Sequence, residues 1–84
     1  MNKVEISKKA FKQLAKLPMN ERIKIFEDSK KLAYMPHCSN IKALDNHKYG
    51  YRLRVGNYRV LFNYDGTVKI VSIEEVKKRD ESTY

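Results

Sequence analysis

The sequence predicts an α+β domain in which a helix hairpin packs on one face of a small antiparallel sheet, in the order strand, helix, helix and then three strands. Three observations predict it. Apolar residues recur at helical spacing through the first half, with breaks at Pro18 and Pro36. Residues 51–64 (Tyr-Arg-Leu-Arg-Val-Gly-Asn-Tyr-Arg-Val-Leu-Phe-Asn-Tyr) alternate apolar and polar side chains on both sides of Gly56-Asn57. A further alternating run follows Asp65-Gly66. At 84 residues the chain is expected to form one domain over 1–84, near the size at which a single core is only just sufficient.

Lys3 to Ile6 reads as a short first strand, with Val4 and Ile6 on one side. Ser7 follows as a helix N-cap, and Ile6 and Phe11 are spaced for a hydrophobic staple across it. Ala10, Phe11, Leu14, Ala15 and Leu17 then share one side of a helix, Lys8, Lys9, Lys12 and Lys16 the other, and Pro18 marks its end. The lysine stripe fits either an ordinary solvated face or an accessory surface for phosphate.

Asn20 is placed to cap a second helix, with Glu21 at the positive end of its dipole. Ile23, Ile25, Phe26, Leu32 and Ala33 give it a broad apolar side, and Tyr34-Met35-Pro36 stops it. Two helices joined by so short a link form an antiparallel hairpin that needs a sheet to cover. Residues 36–47 hold turn formers and no sustained period, which predicts a loop anchored by Ile41 and Leu44.

With Gly56-Asn57 as the turn, Val55 lies opposite Tyr58 and Arg54 opposite Arg59, while Arg52 shares their face. Tyr51, Leu53, Val55, Tyr58, Val60, Phe62 and Tyr64 make up the other face, a core surface. Like charges directly across a strand pair are destabilising, so three guanidinium groups on one face call for an anion to neutralise them. Asp65-Gly66 predicts a second tight hairpin into a strand from Thr67 to Glu74, pairing Val60 with Val71 and Arg59 with Ser72. Leu61, Val68 and Ile70 would then give the arginine face an apolar patch that a partner or the C-terminal tail covers.

A net charge of +8 spread through both halves favours a polyanionic partner, with nucleic acid first. The single Cys38 excludes an internal disulfide framework and fits a reducing compartment. Cys38, His37 and His47 lack the paired spacing of a metal site, so no metal and no cofactor is expected. No apolar run approaches a membrane span, and a cytoplasmic location without membrane contact is expected.

The layout, with Tyr51-Arg-Leu-Arg-Val-Gly-Asn-Tyr-Arg-Val-Leu-Phe62 in the middle and Lys77-Lys-Arg-Asp-Glu-Ser-Thr-Tyr84 at the end, resembles the RelE toxins of the RelE/ParE superfamily. The architecture matches over the whole chain and the motifs over about 48–84. The resemblance implies a RelE-like fold and a toxin held inactive by a cognate antitoxin. For the RelE branch it implies metal-independent cleavage of messenger RNA in the ribosomal A site, inhibiting translation. For the ParE branch it implies action on DNA gyrase without nuclease activity. A basic RNA-binding module without catalysis is the reading that charge alone supports.

By the same resemblance, Arg52 and Arg54 fall where RelE enzymes have two basic, usually lysine, residues. Arg59 falls on the arginine after the turn, Lys78 or Arg79 on the basic residue near the C-terminus, and Tyr84 on the tyrosine that stacks on the cleaved nucleotide. The implied reaction is attack of a ribose 2′-hydroxyl on the adjacent phosphate, giving a cyclic phosphate. Arg54 and Arg59 suit its phosphoryl oxygens through bidentate contacts. Arg52 would join them or acidify the 2′-hydroxyl, and Lys78 or Arg79 would serve the leaving oxygen. A guanidinium stays protonated and is a poor base, which leaves Glu74 and His47 as stand-ins for that role.

Overall fold

The computed structural model describes residues 1–79. Its first element is strand β1 (Lys3–Ile6), followed by helices α1 (Lys8–Ala15) and α2 (Met19–Ser29) and a 3-10 helix over Lys30–Tyr34. Strands β2 (Ile41–Ala43), β3 (Tyr51–Val55), β4 (Tyr58–Asp65) and β5 (Ile70–Lys78) complete it. Among the described residues the strands form one five-stranded sheet in the order β1-β5-β4-β3-β2.

The α+β architecture agrees with the sequence, but the sheet is mixed rather than antiparallel. β1 runs parallel to β5, pairing Val4 with Val71 and Ile6 with Ile73. A parallel neighbour needs a crossover connection, and the two helices intervene in the chain between β1 and the rest of the sheet. β1 is thus both an edge strand and the neighbour of the last strand.

Ser7 caps α1 as its sequence position implies, its Oγ accepting from the Ala10 N–H at 3.0 Å. The same hydroxyl donates to the Glu74 carbonyl at 3.0 Å, which ties the helix start to β5. α2 begins earlier than its sequence suggests. Pro18, not Asn20, is the cap residue, and Asn20 lies inside the helix. Proline fits just outside a helix start because no partner for its missing N–H is needed there. Glu21 does sit in the first turn, where its carboxylate accepts a hydrogen bond from the Tyr58 hydroxyl and pins α2 to β4.

Tyr58, Leu53, Val55, Val60 and Phe62 from the sheet, with Ala10, Leu14, Ile25 and Leu32 from the helical layer, are buried in one core. Tyr51 and Tyr64 flank it half-buried, Tyr51 stacking on Phe62 at 5.5 Å. The expected apolar side of the helices is only partly covered: Phe11, Ile23 and Phe26 are 63 %, 54 % and 56 % exposed. With Ile6 they line an open furrow of about 480 Å³. α1 packs on β5 and α2 on β3 and β4, so side chains turned toward the gap between the helices do not reach the sheet.

Two further corrections concern the sheet. Part of the expected loop over 36–47 is strand β2, pairing Ile41 with Leu53, Lys42 with Arg52 and Ala43 with Tyr51. Three residues are too few for alternation to register. The β4–β5 connection is also longer than a two-residue turn, with Asp65 paired to Ile70 and the intervening chain folded on the Asp65 side chain, whose Oδ1 accepts from the Thr67 and Val68 N–H groups. Lys69 takes up a left-handed φ of 58° in this loop. Val60 therefore pairs with Val76, not Val71, and Arg59 with Lys77, not Ser72. An irregularity between Leu61 and Phe62, opposite Glu75 and Ile73, leaves Glu74 as the extra residue. Val71 and Ile73 keep their core positions, and beyond the bulge the alternation changes phase so that Val76 joins them.

Candidate nucleic-acid interface

The β3–β4 hairpin is paired as its sequence implies. Gly56 turns the chain at φ 55°, Val55 faces Tyr58, and Arg54 lies directly opposite Arg59. Since paired residues share a sheet face, the register extends this row of cations to Lys77 on β5. A second row on the same face runs Lys42, Arg52, Leu61, Glu75 from β2 to β5. Neighbouring strands are about 4.8 Å apart, so these cations lie within reach of one phosphodiester group or two successive ones.

A cavity of about 240 Å³ opens on this face, lined by Lys42, Leu44, Arg52, Arg54, Arg59 and Arg79. Arg59 is its most deeply set cation at 7 % exposure, with Nη1 donating to the Tyr58 carbonyl at 3.1 Å. Arg52 is half-buried, and Arg54, Lys42 and Arg79 are exposed. The Arg79 N–H donates to the Asn57 carbonyl, which brings the end of β5 back to the hairpin turn. Guanidinium forks converging on one hollow suit the bidentate capture of phosphate oxygens.

The structure thus gathers four of the residues singled out in the sequence: Arg52, Arg54, Arg59 and Arg79. It does not bring Lys78 to them. Lys78 pairs with Tyr58, whose side chain faces the helices, so Lys78 belongs to the opposite side of the sheet. Tyr84 lies outside the described residues. The stand-ins for a base are also elsewhere. Glu74 sits in the bulge, and His47 accepts the Tyr49 N–H on Nδ1 at 3.0 Å in the loop before β3, neither lining the cavity. Cys38 donates its thiol to the Lys31 carbonyl at 2.9 Å, and burial pushes that thiol up from its ordinary pKa.

Lys42 escapes sequence reasoning because β2 reads as loop, Leu44 lines the basic hollow where the sequence suggests a core anchor, and Lys77 escapes because the bulge moves the register. The weak alternation of Ile41-Lys42-Ala43-Leu44 was the available signal. The same shift in register hides Glu75. It is buried on the arginine face, with Lys9 of α1 and Lys77 each 3.5 Å from Oε1. Burial pushes its carboxyl up, but the two ammonium groups outweigh this and hold it below the ordinary carboxylate range.

No protein-family model matches the sequence, and no curated relative matches it. Solved structures do. A chain of the archaeal RelE–RelB complex from Pyrococcus horikoshii aligns with 95 % of this chain and 97 % of its own length, at 27 % identity and a TM-score of 0.81. The RelBE2 toxin–antitoxin complex from Mycobacterium tuberculosis matches over 93 % and 98 % of the two chains, at 24 % identity and a TM-score of 0.78. The isolated RelE toxin of E. coli matches over 96 % and 87 %, at 16 % identity and a TM-score of 0.78. The alignments span nearly the whole of this chain, and the chain is RelE-like, carrying the fold of the RelE toxins and structurally homologous to them.

Proposed function

We propose that this chain is the toxin of a type II toxin–antitoxin system, a ribosome-dependent endoribonuclease that cleaves messenger RNA in the A site without a metal ion and so inhibits translation. On this reading residues 1–84 are one RelE-like toxin domain acting in the cytoplasm, where ribosomes are. The observation that carries it is the juxtaposition of Arg54 and Arg59 in direct register, with Arg52, Arg79 and Lys42 around the same hollow. Guanidinium groups set directly across a strand pair present their forks side by side to the oxygens of one phosphate.

The chemistry assigned is attack of a ribose 2′-hydroxyl on the adjacent phosphorus, leaving a cyclic phosphate and a free 5′-hydroxyl. Arg54 and Arg59 hold the non-bridging oxygens, where charge accumulates in the transition state. Arg52 lies one step along β3, on the side of the attacking hydroxyl. Arg79 braces the other end, and Tyr84 stacks on the nucleotide. A cognate antitoxin is the expected partner, supported by the RelE–RelB complexes among the similar structures.

The test is expression of the wild type, Arg54→Ala and Arg59→Ala in cells, with RNA 5′ ends mapped genome-wide. Wild type should arrest growth and cut translated messages in frame. Either substitution should lower cleavage by about 100-fold or more, the scale of losing one preorganised charge contact to the transition state. Growth arrest that persists in both variants without mRNA cuts would overturn the reading. Intact mRNA with induction of DNA-damage signalling would favour a ParE-like gyrase binder instead.

A further inference from the structure

Beside the basic hollow, the same face carries a second group of charges that the cleavage reading leaves unused. Lys77 extends the row of Arg54 and Arg59 by one strand, a step of about 4.8 Å that sets it next to the hollow without lining it. Its ammonium and that of Lys9 each lie 3.5 Å from the same oxygen, Oε1 of Glu75. Both lysine side chains are more than half exposed, whereas Glu75 is buried. A single carboxylate balances only one of the two ammonium groups, so one positive charge stays in excess on the solvent side.

The pair is held from both elements. The Ser7 hydroxyl, which caps α1, donates to the Glu74 carbonyl at 3.0 Å, and the Gln13 side chain accepts from the Val76 N–H at 2.7 Å. These two bonds flank Lys9 on the helix and Glu75 on the strand. The bulge at Glu74 sets the phase of the strand beyond it, which turns Glu75 and Lys77 onto the arginine face. An ammonium has three donors, so each lysine can keep one N–H on Glu75 and give the others to phosphate oxygens.

We infer that Lys9 and Lys77, gathered by Glu75, form a second phosphate subsite that holds the mRNA phosphate next to the scissile one. The inference rests on the mRNA-cleavage reading above, which puts the scissile phosphate in the hollow of Arg54 and Arg59. One strand spacing is on the scale of the step between successive phosphates of a nucleic-acid strand, so a strand seated in the hollow passes over Lys77. Glu75 is a positioning residue. Its buried carboxylate draws a helix lysine and a strand lysine to one point and leaves their remaining donors to the RNA. The subsite fixes the register of the message without touching the reacting atoms.

The test uses ribosomes programmed with synthetic mRNAs in which one phosphate, just before or just after the scissile linkage, is replaced by an uncharged methylphosphonate. With toxin below saturation, wild type should cut about tenfold more slowly at one of these positions and be little affected at the other. Lys9→Met and Lys77→Met should each cut the unmodified message up to about tenfold more slowly, and should lose almost nothing further when the sensitive phosphate is neutral. Arg59→Ala, which removes a contact to the scissile phosphate, should instead show both losses, one on top of the other. Losses that add for the lysine variants at both positions would make the pair a structural or ribosomal-RNA contact and overturn the subsite. Unchanged cleavage by both variants, or a wild type indifferent to both replacements, would overturn it too. If wild type cuts no message at all, the cleavage reading fails, and the subsite with it.

Discussion

Arg79 and Lys78 are neighbours in sequence, yet the sheet sends them to different surroundings. Arg79 lines the basic hollow, whereas Lys78 pairs with Tyr58 on the side of the helices. Their substitutions should separate accordingly in the ribosome assay. On the proposed cleavage reading, Arg79→Ala is expected to lower cleavage by about 100-fold and Lys78→Ala by less than about threefold, because only the first removes a charge from the hollow assigned to the phosphate. A larger loss for Lys78→Ala would mean that the C-terminal basic residue of the site is Lys78. The sequence left these two alternatives open, since a one-residue offset decides which side of a strand a residue occupies and nothing local reports the bulge upstream. Arg54 and Arg59, by contrast, were legible from the sequence because only two residues separate their strands, and that turn sets the pairing.

At the scale of elements, the β3–β4 hairpin is the part most closely specified by its own residues. Gly56 holds φ 55°, and no atom beyond its immediate chain neighbours lies within 4 Å of where a Cβ would stand. Gly56→Ala should therefore cost about 1 kcal/mol through backbone strain alone. Gly56→Asn should cost less, because asparagine enters the left-handed region more readily. Urea titration of the two variants checks this, and a loss well above that for alanine would indicate a contact the turn does not show. β2 and β5 were less legible for different reasons. β2 has three residues and pairs with a strand that follows it, so its identity depends on β3. β5 reads correctly as alternating, but its register follows from the longer loop built on Asp65 and from the bulge at Glu74.

The whole molecule joins its two layers through contacts that cross long stretches of chain. Glu75 receives Lys9 from α1 and Lys77 from its own strand, the Val76 N–H donates to the Gln13 side chain at 2.7 Å, and Tyr58 reaches Glu21. The Glu75 carboxyl is held below its ordinary range, so it binds fewer protons in the folded than in the unfolded chain. Its contribution to stability is present above the unfolded pKa and is lost as pH falls through the folded one. Glu75→Gln should lower Tm at neutral pH and flatten the fall in Tm on acidification below the ordinary carboxylate range. Thermal melts from pH 7 to pH 3 measure this. Parallel curves for wild type and variant would show that Glu75 does not carry the acid dependence. Among the described residues no helix is long and apolar enough to cross a membrane. The open furrow between α1 and α2 is lined instead by Phe11, Ile23 and Phe26, residues whose spacing suggested core.

By itself the sequence determined the α+β class, the capped start of α1, the central hairpin and the facing of Arg54 against Arg59. Each of these follows from local spacing, from a turn residue or from the two-residue period of a strand. Tertiary structure alone decided that β1 runs parallel to β5, that β2 brings Lys42 opposite Arg52, and that Arg79 rather than Lys78 joins the hollow. Those outcomes depend on pairing between strands distant in the chain and on a one-residue bulge, and a bulge reverses the facing of every residue beyond it.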